Sequence, residues 1–180
     1  MTVKQYFDSV KDGELAKAVY EQLEDVEPSY ECLGMPVEND MTFGQMTELR
    51  RGLTEGMTDF DISQLIGRVM GDKDVSTCDY LQWLPYMLRV LKYVTNSIKN
   101  EEQKLKYTPT SDEKAAGIEK LGVFKEWGIV DALVRSRPAY KHADIFALKY
   151  TDVFLMQWID LEHSKFERKL IKIQQKNNKQ

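Results

Sequence analysis

The chain has 180 residues, enough to bury a core without disulfide staples, either as one domain or as two small helical ones. Hydrophobic residues make up 42% and charged residues 30%, which excludes wholesale disorder, and no apolar run approaches the roughly 18 residues that cross a membrane. The net charge of −4 is unevenly spread: residues 1–40 hold three lysines against ten acidic residues, and residues 164–180 hold six basic residues against Glu167 alone.

Val3 to Val10 reads as a short helix, broken at Asp12-Gly13. Leu15, Val19, Leu23 and Val26 define a second helix that stops before Pro28. Residues 27–41, with Pro28, Gly34 and Pro36, read as an irregular loop. Thr42 is a good N-cap, and Gln45 three residues later completes a capping box. Phe43, Met46, Leu49 and Leu53 form that helix's buried face, and Gly52 and Gly56 loosen its end. The next helix begins near Thr58 or Asp59, turns Ile62, Leu65, Ile66, Val69 and Met70 inward, and ends on Gly71 as a C-cap.

Ser76 or Thr77 is placed to cap another helix. Tyr80, Leu84, Met87, Leu91, Val94 and Ile98 then recur at steps of four and three, close to a heptad seam on one helix face. Pro85 interrupts this stripe. A proline inside a helix removes a hydrogen bond and crowds the preceding turn, so the long helix is expected to start at Pro85, with a kink as the alternative.

Lys106 to Asp112, with Thr108, Pro109, Thr110 and Ser111, reads as a linker at 107–112 between an N-terminal part, 1–106, and a C-terminal part, 113–180, that packs on it. Ser111 or Asp112 caps a helix through Leu121. Short helices come next at Trp127–Val134 and Asp144–Tyr150. Thr151 caps a last long helix whose face carries Leu155, Ile159, Phe166, Leu170 and Ile173, with His163 filling a gap; its final residues, from Gln174, are expected to fray. No segment shows strand alternation. The expected fold is all-α: a multi-helix bundle with two long helices, about 85–106 and 151–175, and several short ones.

Reactive chemistry finds little support. Cys32 and Cys78 belong to no C-x-x-C pair, and Met1 to Val10 has no apolar leader segment, so both read as free thiols in a reducing compartment. Asp160 and His163 could share a helix face as metal ligands, but di-metal helical sites need a second such pair, and His142 sits beside a proline-broken loop. Phosphate loops and a G-x-S-x-G nucleophile elbow are absent. Residues of about 59–84 can be laid out as a helix-turn-helix. The start of its second helix reads Ser76, Thr77, Cys78, Asp79, Tyr80, without a basic residue to meet phosphate. A separate candidate for nonspecific DNA contact is the basic run of Lys165, Arg168, Lys169, Lys172 and Lys176. Protein–protein packing is the class best served by long apolar faces, eight Met and nine Tyr; the candidate packing or interface residues are Tyr80, Leu84, Met87, Leu91, Val94, Ile98, Phe166 and Leu170. Packing within one chain explains most of these features equally well.

Two stretches carry a family resemblance. Thr42-Phe43-Gly44-Gln45 opening a helix, and Asp144-Ile145-Phe146-x-Leu148-x-Tyr150-x-x-Val153-Phe154 leading into Phe166-x-Arg168-x-Leu170-x-x-Ile173, resemble small α-helical structural or assembly proteins of tailed bacteriophages. The resemblance implies a non-enzymatic head–tail connector, ring component or tail assembly factor. Such a protein contacts copies of itself in a homo-oligomeric ring and other virion proteins such as portal or tail components. It uses no cofactor and no membrane, and it resides in the virion and, during assembly, in the host cytoplasm. The alternatives are a DNA-binding regulator and a small helical enzyme or metal protein.

Overall fold

The computed structural model describes residues 1–10, 13–23, 26–54 and 56–177, with the backbone alone for residues 13–17 and Thr54. Among the described residues the named elements are all helices, as expected. Two are long, of 25 and 28 residues. The chain divides into two units, Met1–Ile98 and Lys99–Gln180. The division falls inside a helix and not at the expected linker, 107–112. Residues beyond Ile98 already belong to the second unit: Glu101 accepts a hydrogen bond from Tyr150 at 2.8 Å, and the Lys104 ammonium lies 5.1 Å from the Trp158 ring centroid. The 107–112 stretch is itself tied down, because the Tyr107 hydroxyl donates to Glu113 at 2.5 Å.

The first unit holds α1 (Val3–Ser9), α2 (Gly13–Leu23), α3 (Tyr30–Leu33), α4 (Phe43–Thr54), α5 (Asp59–Gly71) and most of α6 (Tyr80–Lys104). The starts of α4 and α5 agree with the sequence. Thr42 and Gln45 exchange reciprocal backbone-to-side-chain bonds at 2.9 and 3.2 Å, and Thr58 and Asp61 repeat the pattern. The break expected at Asp12-Gly13 falls partly on Asp12, and the inward place of Leu15 on a side chain, outside the described set. Val26, expected on the buried face of the second helix, lies past the end of α2 and is exposed. The 27–41 loop holds α3 and a short 3-10 turn, Glu38–Asp40, and it plugs the core with Leu33, Met35 and Met41. Glu38 is buried there, accepting the Tyr30 hydroxyl at 2.7 Å.

Several local expectations give way to packing. Gly52 is buried inside α4, where an added Cβ would stand 2.1 Å from Leu65 Cδ2; its role is the close approach of α4 to α5, not a loosened end. Gly71 ends α5, but the left-handed cap is Asp72, with φ of 50°. Asp79, in place of Ser76 or Thr77, caps α6 by accepting the Leu81 amide at 2.9 Å. That helix starts at Tyr80 and carries Pro85 inside it, in place of a start at Pro85. Proline removes the amide that would reach the Leu81 carbonyl, and its ring is buried in the core beside Leu84 and Tyr86, so packing offsets the lost bond.

The α6 stripe is core. Leu84, Met87 and Val94 are buried, while Tyr80, Leu91 and Ile98 are half-buried. The buried face is turned toward Trp83, Tyr86 and Val90, which are also fully buried. Trp83 donates its indole N–H to Ser63 of α5 at 2.6 Å. Tyr86 packs edge-on against Tyr30 and donates to the Pro36 carbonyl at 3.1 Å. Tyr80 stacks on Tyr6 of α1, with 5.1 Å between ring centroids.

The second unit holds the end of α6, then α7 (Ser111–Ala115), a 3-10 stretch (Ile118–Phe124), α8 (Lys125–Ser136), α9 (His142–Ala147) and α10 (Tyr150–Asn177). Thr110, one residue earlier than expected, caps α7 in a box with Glu113. α10 begins at Tyr150, its first turn closed by the Val153 amide on the Lys149 carbonyl, so Thr151 is already inside. The helix is described to Asn177, so most of the expected fraying segment is helical; the last three residues lie outside the described set. α8 packs on α9 and on the 3-10 stretch around Val130, Leu133 and Ile145.

Candidate functional site

The second unit presents two apolar surfaces, one on each side of α10. At 100° per residue, Tyr150, Val153, Leu161, Ser164 and Arg168 share one face of that helix. Tyr150 and Val153 are buried, and Leu161, Ser164 and Arg168 are half-buried. Polar clamps hold this face to its unit. Arg137, which ends α8, grips Asp160 with two parallel bonds of 2.8 Å. Arg168 donates to Glu113 at 2.6 Å, and its guanidinium lies 4.8 Å from the Tyr107 ring centroid. The Glu113 carboxyl is held down at about 2 by the Tyr107 hydroxyl and the Thr110 amide and hydroxyl that donate to it, with the Arg168 charge adding to them.

The opposite face of α10 carries Leu155, Ile159, Phe166, Leu170 and Ile173, and every one of them is exposed. Phe166 shows 65% of its surface and Leu170 42%. Both were expected to pack. Inside their own unit they do not, because the clamps turn the other side of the helix inward. Single exposed apolar residues are ordinary, but five in helical register over five turns form a patch.

The second surface is a cavity of about 770 Å³ on the packed side of α10. Leu105, Tyr107, Leu121, Phe124, Trp127 and Leu161 contribute its apolar wall. Leu121, Phe124 and Trp127 are more than half exposed, so the wall opens to solvent. Of its charged residues, Lys125, Asp131, Arg135, His142 and Asp160, the two carboxylates are already engaged. Asp160 is held by Arg137, Asp131 pairs with Arg135, and His142 Nε2 lies 3.8 Å from Asp131. The lining includes no Ser, Thr or Cys side chain.

The remaining sequence candidates are dispersed. His163 is exposed, and its intended co-ligand Asp160 is taken by Arg137. Among the described residues no cluster of three His, Cys, Asp or Glu could hold a metal ion. Helices α5 and α6 do flank a turn, but the connection 72–79 is longer than a helix-turn-helix allows. The first turn of α6 is fastened to the N-terminal strand-like segment, through Val3 N–H on the Cys78 carbonyl and Tyr80 N–H on that of Met1. In the basic run, Arg168 is engaged by Glu113 and Lys165 pairs with Glu162 at 2.7 Å. By helical spacing Lys165, Lys169, Lys172 and Lys176 share one edge of α10, between its packed and exposed faces. Among the described residues no helix is long and apolar enough to cross a membrane.

Sequence reasoning found the residues of the exposed α10 face and missed the cavity. The cavity draws on the end of α6, the 3-10 stretch, α8, α9 and α10, and no periodicity links those segments. The chain matches no protein-family model, no curated protein and no solved structure.

Proposed function

We propose that this chain is a non-enzymatic assembly protein that works by helix–helix association with copies of itself and with other proteins. The observation that carries the reading is the outer face of α10, with five large apolar side chains exposed opposite a face already satisfied within the unit. A soluble helix retains such a stripe at a cost in solubility, and burial against another helix removes that cost. The resemblance to small structural proteins of tailed bacteriophages supplies the setting: a head–tail connector, ring or tail assembly component in the virion, meeting portal or tail proteins, and present in the host cytoplasm during assembly. In that setting the lysine edge of α10 lies where passing DNA could meet it, as a nonspecific contact.

Sedimentation of the full chain over a concentration series tests the reading. The native chain is expected to associate. Phe166→Glu places a charge in the stripe and is expected to shift it to monomer with unchanged helical circular dichroism, since Phe166 supports no core contact. A native chain that stays monomeric at every concentration, alone and with candidate virion partners, contradicts the proposal.

A further inference from the structure

We infer that the partner on the outer face of α10 is α10 of a second copy, lying antiparallel in a defined register. The inference rests on the reading of that face as an association surface and adds its occupant and geometry. Met156, Ile159, His163, Phe166, Leu170 and Ile173 recur at steps of three and four without a break. That is the a/d seam of a two-stranded coiled coil, about 26 Å long at 1.5 Å per residue. An antiparallel pair on a twofold axis places each a position against a d position of the other helix. The layers are then Met156 with Ile173 of the second copy, Ile159 with its Leu170, and His163 with its Phe166, each occurring twice.

Charge selects this orientation. The seam is flanked on one side by Glu162 and Lys169, and on the other by Asp160 and Glu167. Antiparallel helices bring Glu162 beside Lys169 of the second copy, twice. Glu167 then meets Asp160 of the second copy, whose charge Arg137 already neutralises within its own unit through two 2.8 Å bonds. A parallel pair would instead set Glu162 against Glu167 twice, with only the exposed Lys165 on Glu162 to offset it and no opposite charge supplied across the seam, and like charges across a seam are unfavourable. The contact is isologous and closes at two copies, so a larger ring would be built from such pairs through a different surface.

Cysteine cross-linking of the full chain tests orientation and register. In a background with Cys32→Ser and Cys78→Ser, the variants Ile159→Cys and Leu170→Cys are oxidised separately and mixed. The antiparallel register predicts that the mixture cross-links at least tenfold faster than either variant alone. Self-cross-linking of each variant, without excess in the mixture, indicates a parallel pair and overturns the inference. Association by sedimentation without any cross-link also overturns it, while leaving the assembly reading in place. A monomer whose thermal stability falls in Phe166→Glu shows the stripe covered within its own chain, and both readings fall. As a second arm, Glu162→Lys and Lys169→Glu are each expected to weaken association roughly fivefold, and the double variant to restore it. Failure of the double variant to recover counts against the register.

Discussion

Trp83 shows how one residue fixes the core of the first unit. Its ring is fully buried, and its only polar atom finds Ser63 Oγ across the interface of α5 and α6. Ser63 is itself fully buried, so removing the indole N–H strands a hydroxyl in an apolar site. Trp83→Phe is expected to cost about 2–3 kcal/mol in a urea melt, from the orphaned hydroxyl together with the lost ring volume. Gly67 makes a different demand. A Cβ there would sit 2.6 Å from the Lys73 backbone carbonyl, and the loop that supplies this carbonyl is anchored by the Lys73 amide on Gly67 itself. Gly67→Ala therefore forces backbone to move and is expected to destabilise by about 1–3 kcal/mol in the same measurement. Nothing in the one-letter string marks Gly67, because the pressure on it comes from a segment six residues on that folds back.

At the scale of elements, one capping box was legible, while other caps and helix limits were less so. Thr42 with Gln45 works as expected, since the partners are three residues apart and need nothing from elsewhere. Pro85 misled because the burial of its ring among core neighbours offsets the lost hydrogen bond, and that burial is a tertiary fact. The 107–112 stretch looked like a linker by composition, yet Tyr107, Thr110, Glu113 and Arg168 knit it to α10. This knot titrates. The Glu113 carboxyl sits at about 2 in the folded chain against an ordinary 4.5, so its contribution is fully present above about pH 4.5 and is lost as pH falls toward 2. Glu113→Gln is expected to flatten the acid limb of stability between those values. Thermal melts of both proteins across the window check this, and an unchanged slope would show that the knot does not hold the unit together.

For the whole molecule the two units differ in how they are built. The first unit supplies most of the buried hydrophobic residues, from Val3 through Val94, whereas the second buries Val130, Leu133, Ile145, Tyr150 and Val153. A unit with so thin a core gains proportionately more from covering an exposed stripe. The melting temperature of the second unit is therefore expected to rise with protein concentration, and to become independent of it in Phe166→Glu. Differential scanning calorimetry of both proteins at several concentrations, with the transition of the second unit followed, checks this.

The sequence by itself determined the helical class, the two long helices, the Thr42–Gln45 capping box and the membership of the α6 and α10 apolar faces, because all of these depend on neighbours within a turn or two. It could not decide what covers a face. The stripes on α6 and α10 are written in the same steps of three and four, yet α6 buries Leu84, Met87 and Val94 while α10 shows Phe166 and Leu170 to solvent. Periodicity records which side chains travel together around a helix; the rotation of that helix against the rest is set by long-range contacts such as the Arg137–Asp160 clamp. Those contacts join residues far apart in the chain, and only the tertiary structure brings them to the same place.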